Sequence, residues 1–154
     1  MYLFIVIAFM FVLPVASTAV DWVLSGATFS IVFVGKWFVF WSVGWRLLLA
    51  GIKQIVQPSY TAREILGLKG DEALILVREL GFANVSMGAL GVASLFVPSW
   101  QLGAALVGAL FYGFAGVNHL RQPHRNRMEN IAMVSDLFVA IVLLAVCLAT
   151  FSTR

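Results

Sequence analysis

Three ionisable side chains interrupt stretches of sequence that are otherwise apolar: Arg46, Glu79 and Asp136. A charged group inside a membrane-crossing segment is costly, and marks a functional site or a structural ion pair by default. Counting from flanking charges puts the three at one depth. Arg46 lies ten residues after Lys36 and seven before Lys53, Glu79 seven after Glu72, and Asp136 seven after Glu129. At ~1.5 Å per helical residue, seven residues reach roughly 10 Å into the bundle. His119, next to Asn118, ends its apolar stretch just outside that layer. Two chemistries fit. One is an ion-pair cluster in which Arg46 is neutralised by Asp136, Glu79 or both. The other is a polar pocket for an anionic head group, a proton or a metal. Glu79, His119 and Asp136 are ligand types for iron or zinc, but no Glu-x-x-His or His-Glu-x-x-His spacing occurs, so no metal site is expected. The ion-pair reading is preferred, because one arginine and two carboxylates can satisfy one another.

Two further groups carry chemistry. Trp37, Trp41 and Trp45 form an i, i+4, i+8 stripe, whose default use is packing or lipid contact. A flat hydrophobic ligand such as a quinone or sterol-like molecule could also stack there. Arg121, Arg125 and Arg127, with His124, cluster after the fourth apolar stretch and suit anionic lipid head groups. No Ser-His-Asp set, phosphate loop or Cys-rich motif is present, which disfavours a soluble-type enzyme. The net charge of +3 is too small and scattered for nucleic-acid binding. Cys147 is the single cysteine, so no intrachain disulfide forms, and its apolar setting suits a small buried hydrophobe.

The elements that position these residues follow from composition. The 154 residues are 62% hydrophobic and 11% charged, against about half apolar and a quarter charged in soluble domains. Lipid is the solvent such a chain requires, and the long unbroken apolar runs specify helices rather than the alternating strands of a barrel. The expectation is an all-α, polytopic transmembrane helix bundle forming one domain over 1–154. Its five spans lie at about 2–24, 31–56, 73–97, 100–120 and 131–151. The first lacks the basic region that precedes the apolar core of a signal peptide, so it is expected to be retained. Between spans two and three, Thr61-Ala62-Arg63-Glu64 has capping-box spacing and opens a short amphipathic helix on the cytoplasmic surface. Asp71 is placed to cap the third span, and Val97-Pro98-Ser99 turns spans three and four into a hairpin.

One side of the bundle carries Arg46, Lys53, Arg63, Lys69, Arg78, Arg121, Arg125 and Arg127, and the other only Lys36 and Arg154. The positive-inside rule then puts the N-terminus in the cytoplasm and the C-terminus outside. Small residues allow close helix approach in lipid. Ala105, Ala109, Gly113 and Gly116 line one face of the fourth span. Gly81, Gly88 and Gly91 line one face of the third, with Asn84 among them to hydrogen-bond across the contact.

Several of these residues fall into a recognisable pattern. It runs through Lys36-Trp37-Phe38, Gly44-Trp45-Arg46-Leu47, Gly51, Gln54, Pro58 and Thr61-Ala62. It continues in Arg78-Glu79-Leu80-Gly81-Phe82-Ala83-Asn84, Gly88, Phe111-Tyr112-Gly113, Asn118-His119, Glu129-Asn130 and Ala132-Met133-Val134-Ser135-Asp136. This pattern resembles a family of small bacterial integral membrane proteins of unassigned function, itself loosely similar to the DoxX-like four-helix membrane proteins. The resemblance covers about Lys36 to Phe151 and implies a bundle in the bacterial inner membrane with no established activity. Some DoxX-like proteins are associated with quinone-linked redox chemistry or with larger complexes. The family pattern has Gly before the histidine of the fourth span, where this chain has Asn118.

The expected function is therefore a non-enzymatic subunit of a membrane complex or a lipid-interacting protein. Its expected partners are membrane lipids and other membrane subunits or copies of itself, with no cofactor. The alternatives are a quinone-linked redox component and a small proton-coupled carrier. The carrier is disfavoured by five spans without an internal repeat.

Overall fold

Runs of twenty-odd apolar residues must satisfy their backbone internally. They do so as helices throughout the computed structural model, which describes residues 2–152. Arg154, counted above on the less basic side, lies outside the described residues. Five helices are long and apolar enough to cross a membrane: α1 (Tyr2–Ser25), α2 (Ile31–Val56), α4 (Glu72–Ala93), α5 (Gln101–Arg121) and α6 (Arg127–Ser152). They mark the chain as a multi-pass membrane protein. Between α2 and α4 lies one short turn of helix, α3 (Tyr60–Ile65). No strand occurs among the described residues.

Two helix ends differ from the sequence expectation for local reasons. α4 stops at Ala93 rather than near residue 97. There the Ser94 hydroxyl donates to the Gly91 carbonyl at 2.8 Å, the Val97 amide returns to the Ala93 carbonyl, and Pro98 opens a 3₁₀ turn. α6 begins before its apolar run because Asn126 and Glu129 cap it reciprocally. The Asn126 side-chain oxygen accepts from the Glu129 amide at 2.9 Å, and the Glu129 carboxylate accepts from the Asn126 amide at 2.7 Å.

α3 also departs from expectation. It is a single π-type turn with Ser59 at its N-cap and no side-chain cap, so Thr61 sits inside the turn rather than at its head. Thr61 and Ala62 are buried against the bundle while Arg63 and Glu64 are exposed, so α3 is amphipathic, as expected, with its buried face docked on the bundle. The Asn126 amide group donates to the Ile65 carbonyl at 3.0 Å and ties α3 to the start of α6. Asp71 holds the N-cap position of α4, but its carboxylate accepts from Arg63 at 2.9 Å instead of capping the helix.

α2 and α4 approach closely through glycines. Gly81, Gly88 and Gly91 of α4 lie against Gly51, Leu48 and Gly44 of α2. On α5, Ala105, Ala109 and Gly116 are buried, with Gly116 against Leu137 of α6. Met10, Val39, Val43, Leu47, Val139 and Leu143 fill the centre, and Cys147 is buried beside them.

Neither α1 nor α2 is a regular helix. Each contains a π-helical stretch, Ala8–Val12 in α1 and Val39–Trp45 in α2. Such bulges add a residue to a turn and loosen the backbone ladder. Here side chains fasten them together: the Ser42 hydroxyl donates to the Phe9 carbonyl at 3.1 Å, and the Tyr112 hydroxyl donates to the Ser42 carbonyl at 2.5 Å. Tyr112 is 3% exposed. Tyr112→Phe therefore removes the side-chain donor from a buried carbonyl, and a loss of ~1–3 kcal/mol is expected. Thermal unfolding in detergent measures it; an unchanged midpoint would mean that the carbonyl keeps an equivalent donor.

Candidate functional site

The helix ends that carry most of the arginines and lysines enclose a cavity of about 370 Å³. α2 supplies Arg46, Lys53 and Gln54, which recur at i, i+7 and i+8 and so share one face. α4 supplies Asn84, α5 supplies Tyr112 and His119, and α6 supplies Asp136. Tyr2 enters from α1, while Tyr60, Thr61 and Ile65 of α3 close the end. The rest of the lining is mostly aliphatic or aromatic, including Leu47, Leu49, Leu80 and Phe111.

Asn84 is 3% exposed, and its amide group donates to the Gln54 side-chain oxygen at 2.7 Å, joining α4 to α2. Its own oxygen, Oδ1, has no hydrogen-bond partner among the described residues. Arg46 Nε and His119 Nδ1 are likewise buried without one. All three residues line this cavity. A buried polar atom left unsatisfied costs ~1–3 kcal/mol, and native structures retain few of them. Three on residues that line one cavity therefore form a set of unused hydrogen-bonding groups.

The expected contact of Arg46 with a carboxylate is not made as a direct ion pair. Among the described residues the ion pairs within 4.0 Å are Lys36–Asp21 and Arg63–Asp71. Arg46 and Asp136 do line the same cavity. The Arg46 guanidinium carbon lies 5.7 Å from the centroid of the Tyr2 ring. Glu79 is not part of this group. It is exposed, whereas Val77, Gly81 and Asn84 are buried. Two residues from Val77 along a helix is about 200° around it, so matching depth puts Glu79 on the outer face.

The tryptophan stripe is used elsewhere. The Trp37 indole N–H donates to the Asp21 carboxylate at 3.0 Å, and that of Trp41 donates to the Ser17 hydroxyl at 2.9 Å. Asp21 also pairs with Lys36. Together these contacts clamp α1 to α2, and none of Trp37, Trp41 and Trp45 lines the cavity. Arg121 and Arg127 are exposed at the basic end. Arg125 instead turns back: its Nη1 donates to the carbonyls of His119, Leu120 and Gln122, and its Nε to the Asn130 side-chain oxygen. It thus adds a donor to carbonyls at the end of α5, where the His119 carbonyl also accepts from the Gln122 amide.

The sequence reading missed Tyr2, Gln54, Tyr60 and Tyr112 as members of the site. Gln54 had a signal in its eight-residue spacing from Arg46. Tyr2 and Tyr60 had none, since tyrosine near a helix end is ordinary at a membrane interface, whereas Tyr112, in the middle of α5, stood in the recognised pattern Phe111-Tyr112-Gly113.

The profile of a family of unknown function (DUF6790) matches residues 2–154. No curated protein and no solved structure matches the chain.

Proposed function

The chain belongs to this family of unknown function, and from that premise we propose that it is a non-enzymatic, lipid-interacting membrane protein whose cavity binds the head of a membrane amphiphile. The observation that carries this reading is the set of three unpartnered buried polar atoms on Arg46, Asn84 and His119, residues that all line one largely apolar cavity. An apolar cavity with a few convergent polar groups is the usual form of a small-molecule site. Leu49 and Leu80 line the cavity and are each 37% exposed, so its wall reaches the lipid-facing surface where a chain can leave. Eight of the ten lysines and arginines lie at this end, which supports a cytoplasmic orientation in a bacterial inner membrane. Exposed Arg121 and Arg127 then meet anionic head groups, worth ~1 kcal/mol each near such a surface.

A quinone-linked redox role, which the DoxX-like resemblance implies, finds less support. Two of the three indoles that could stack on a quinone, Trp37 and Trp41, are turned toward α1.

The test is extraction of the whole chain in a mild detergent, followed by mass spectrometry of what copurifies. One amphiphile is expected in near-stoichiometric amount with the wild type. It should be depleted about tenfold in Arg46→Gln, the effect of losing one charge-assisted hydrogen bond. A stoichiometric protein partner with no enriched lipid would replace this reading with that of a complex subunit. A bound quinone would replace it with the redox reading.

A further inference from the structure

The cavity holds two opposite charges that do not pair with each other. Arg46 and Asp136 both line it, yet neither forms an ion pair within 4.0 Å among the described residues. Lys53, also on the lining, donates to the Gln57 side chain and lies 5.0 Å from the centroid of the Tyr60 ring, neutral partners that leave its charge in place. The charged groups on the lining are therefore two cations, Arg46 and Lys53, and one carboxylate, Asp136. An anion alone would satisfy Arg46 and crowd a second negative charge against Asp136. A cation alone would leave Arg46 unmatched. The amide of Asn84 adds an independent constraint. Its nitrogen is spent on Gln54, so its oxygen is the atom left unpartnered, and an oxygen can only accept.

We infer that the head bound in this cavity is a zwitterion, an oxyanion joined by a short linker to a primary ammonium, of the kind carried by an ethanolamine phospholipid. The inference rests on the amphiphile-binding reading above. The oxyanion accepts from Arg46, and the ammonium N–H groups donate to Asp136 and Asn84 Oδ1. A primary ammonium has three donors, whereas a trimethylated one has none. The site should therefore separate ethanolamine from choline heads.

Native mass spectrometry of the detergent-solubilised full chain tests this with four probes: lysophosphatidylethanolamine, lysophosphatidylcholine, lysophosphatidylglycerol and free phosphoethanolamine. Lysophosphatidylethanolamine should bind at least about tenfold more tightly than the choline and glycerol lipids, the margin of one charge-assisted hydrogen bond. Asp136→Asn should abolish that preference while leaving Arg46-dependent binding of lysophosphatidylglycerol. Free phosphoethanolamine should bind more weakly than the lipid; equal binding would assign the site to a soluble zwitterion and overturn the lipid source. If the glycerol lipid binds as well as the ethanolamine lipid in an Arg46-dependent way, the zwitterion fails and the amphiphile reading stands. If no probe binds, both fail. Should Asp136→Asn not fold, the wild-type ranking of the ethanolamine, choline and glycerol lipids decides alone.

Discussion

Gly91→Leu should prevent α2 and α4 from packing. A Cβ at position 91 would lie 2.5 Å from the Gly44 backbone nitrogen and 2.7 Å from the Gly44 Cα. These are backbone atoms and cannot rotate away, so the helices must separate. Gly88 repeats the contact one turn away, where a Cβ would lie 2.5 Å from the Leu48 backbone nitrogen. Separation also pulls Asn84 from Gln54, the hydrogen bond that crosses the same interface. The expected loss is ~3 kcal/mol or more, the upper end of what overpacking costs. Gly103→Leu is the control, because nothing stands within 4 Å of a Cβ there. Thermal unfolding of both variants in one detergent decides the matter. Equal midpoints would show that the glycine contact does not hold the bundle.

Arg46→Met should produce the opposite combination, a folded protein without its ligand. Were Arg46 half of a buried ion pair, its removal would strand a carboxylate at a cost of ~3–5 kcal/mol. No carboxylate stands within 4.0 Å of it among the described residues. Its Nε is already unsatisfied, and methionine relieves that cost while keeping much of the apolar stem. Loss of the contact with the Tyr2 ring, worth ~0.5–2 kcal/mol, offsets that relief, so the stability change is expected to stay well below the cost of a broken buried pair. Binding of the amphiphile should fall by about tenfold or more. Unfolding midpoints and copurified lipid are measured on the same preparation. A large destabilisation with lipid retained would return Arg46 to a structural role.

The contrast between these variants marks what the sequence by itself determined. Five helices, their alternating direction and the concentration of lysine and arginine at one end follow from apolar runs long enough to cross a membrane and from the charges between them. The glycine face of α4 was also legible, because Gly81, Gly88 and Gly91 recur at helical spacing and small residues have few other uses there. Asn84 lay on that face and does bond across it. In each case the cause is local, within a turn or two of chain.

The membership of the cavity is not local. Counting residues gives depth along a helix, and Arg46, Glu79 and Asp136 do count to similar depths. It does not give the direction in which each side chain points relative to its neighbours, and that direction removes Glu79 from the site. In α2 the difficulty is compounded by the π-helical stretch Val39–Trp45, which ends immediately before Arg46. One extra residue in a turn rotates everything beyond it by about 100°. Tertiary contacts fix that stretch: Ser42 bonds to Phe9 of α1, and Tyr112 of α5 bonds to Ser42. The chain thus carries the residues of the site in its sequence, but the packing of α1 and α5 against α2 determines that Arg46 and Gln54 face Asn84, His119 and Asp136 across one cavity.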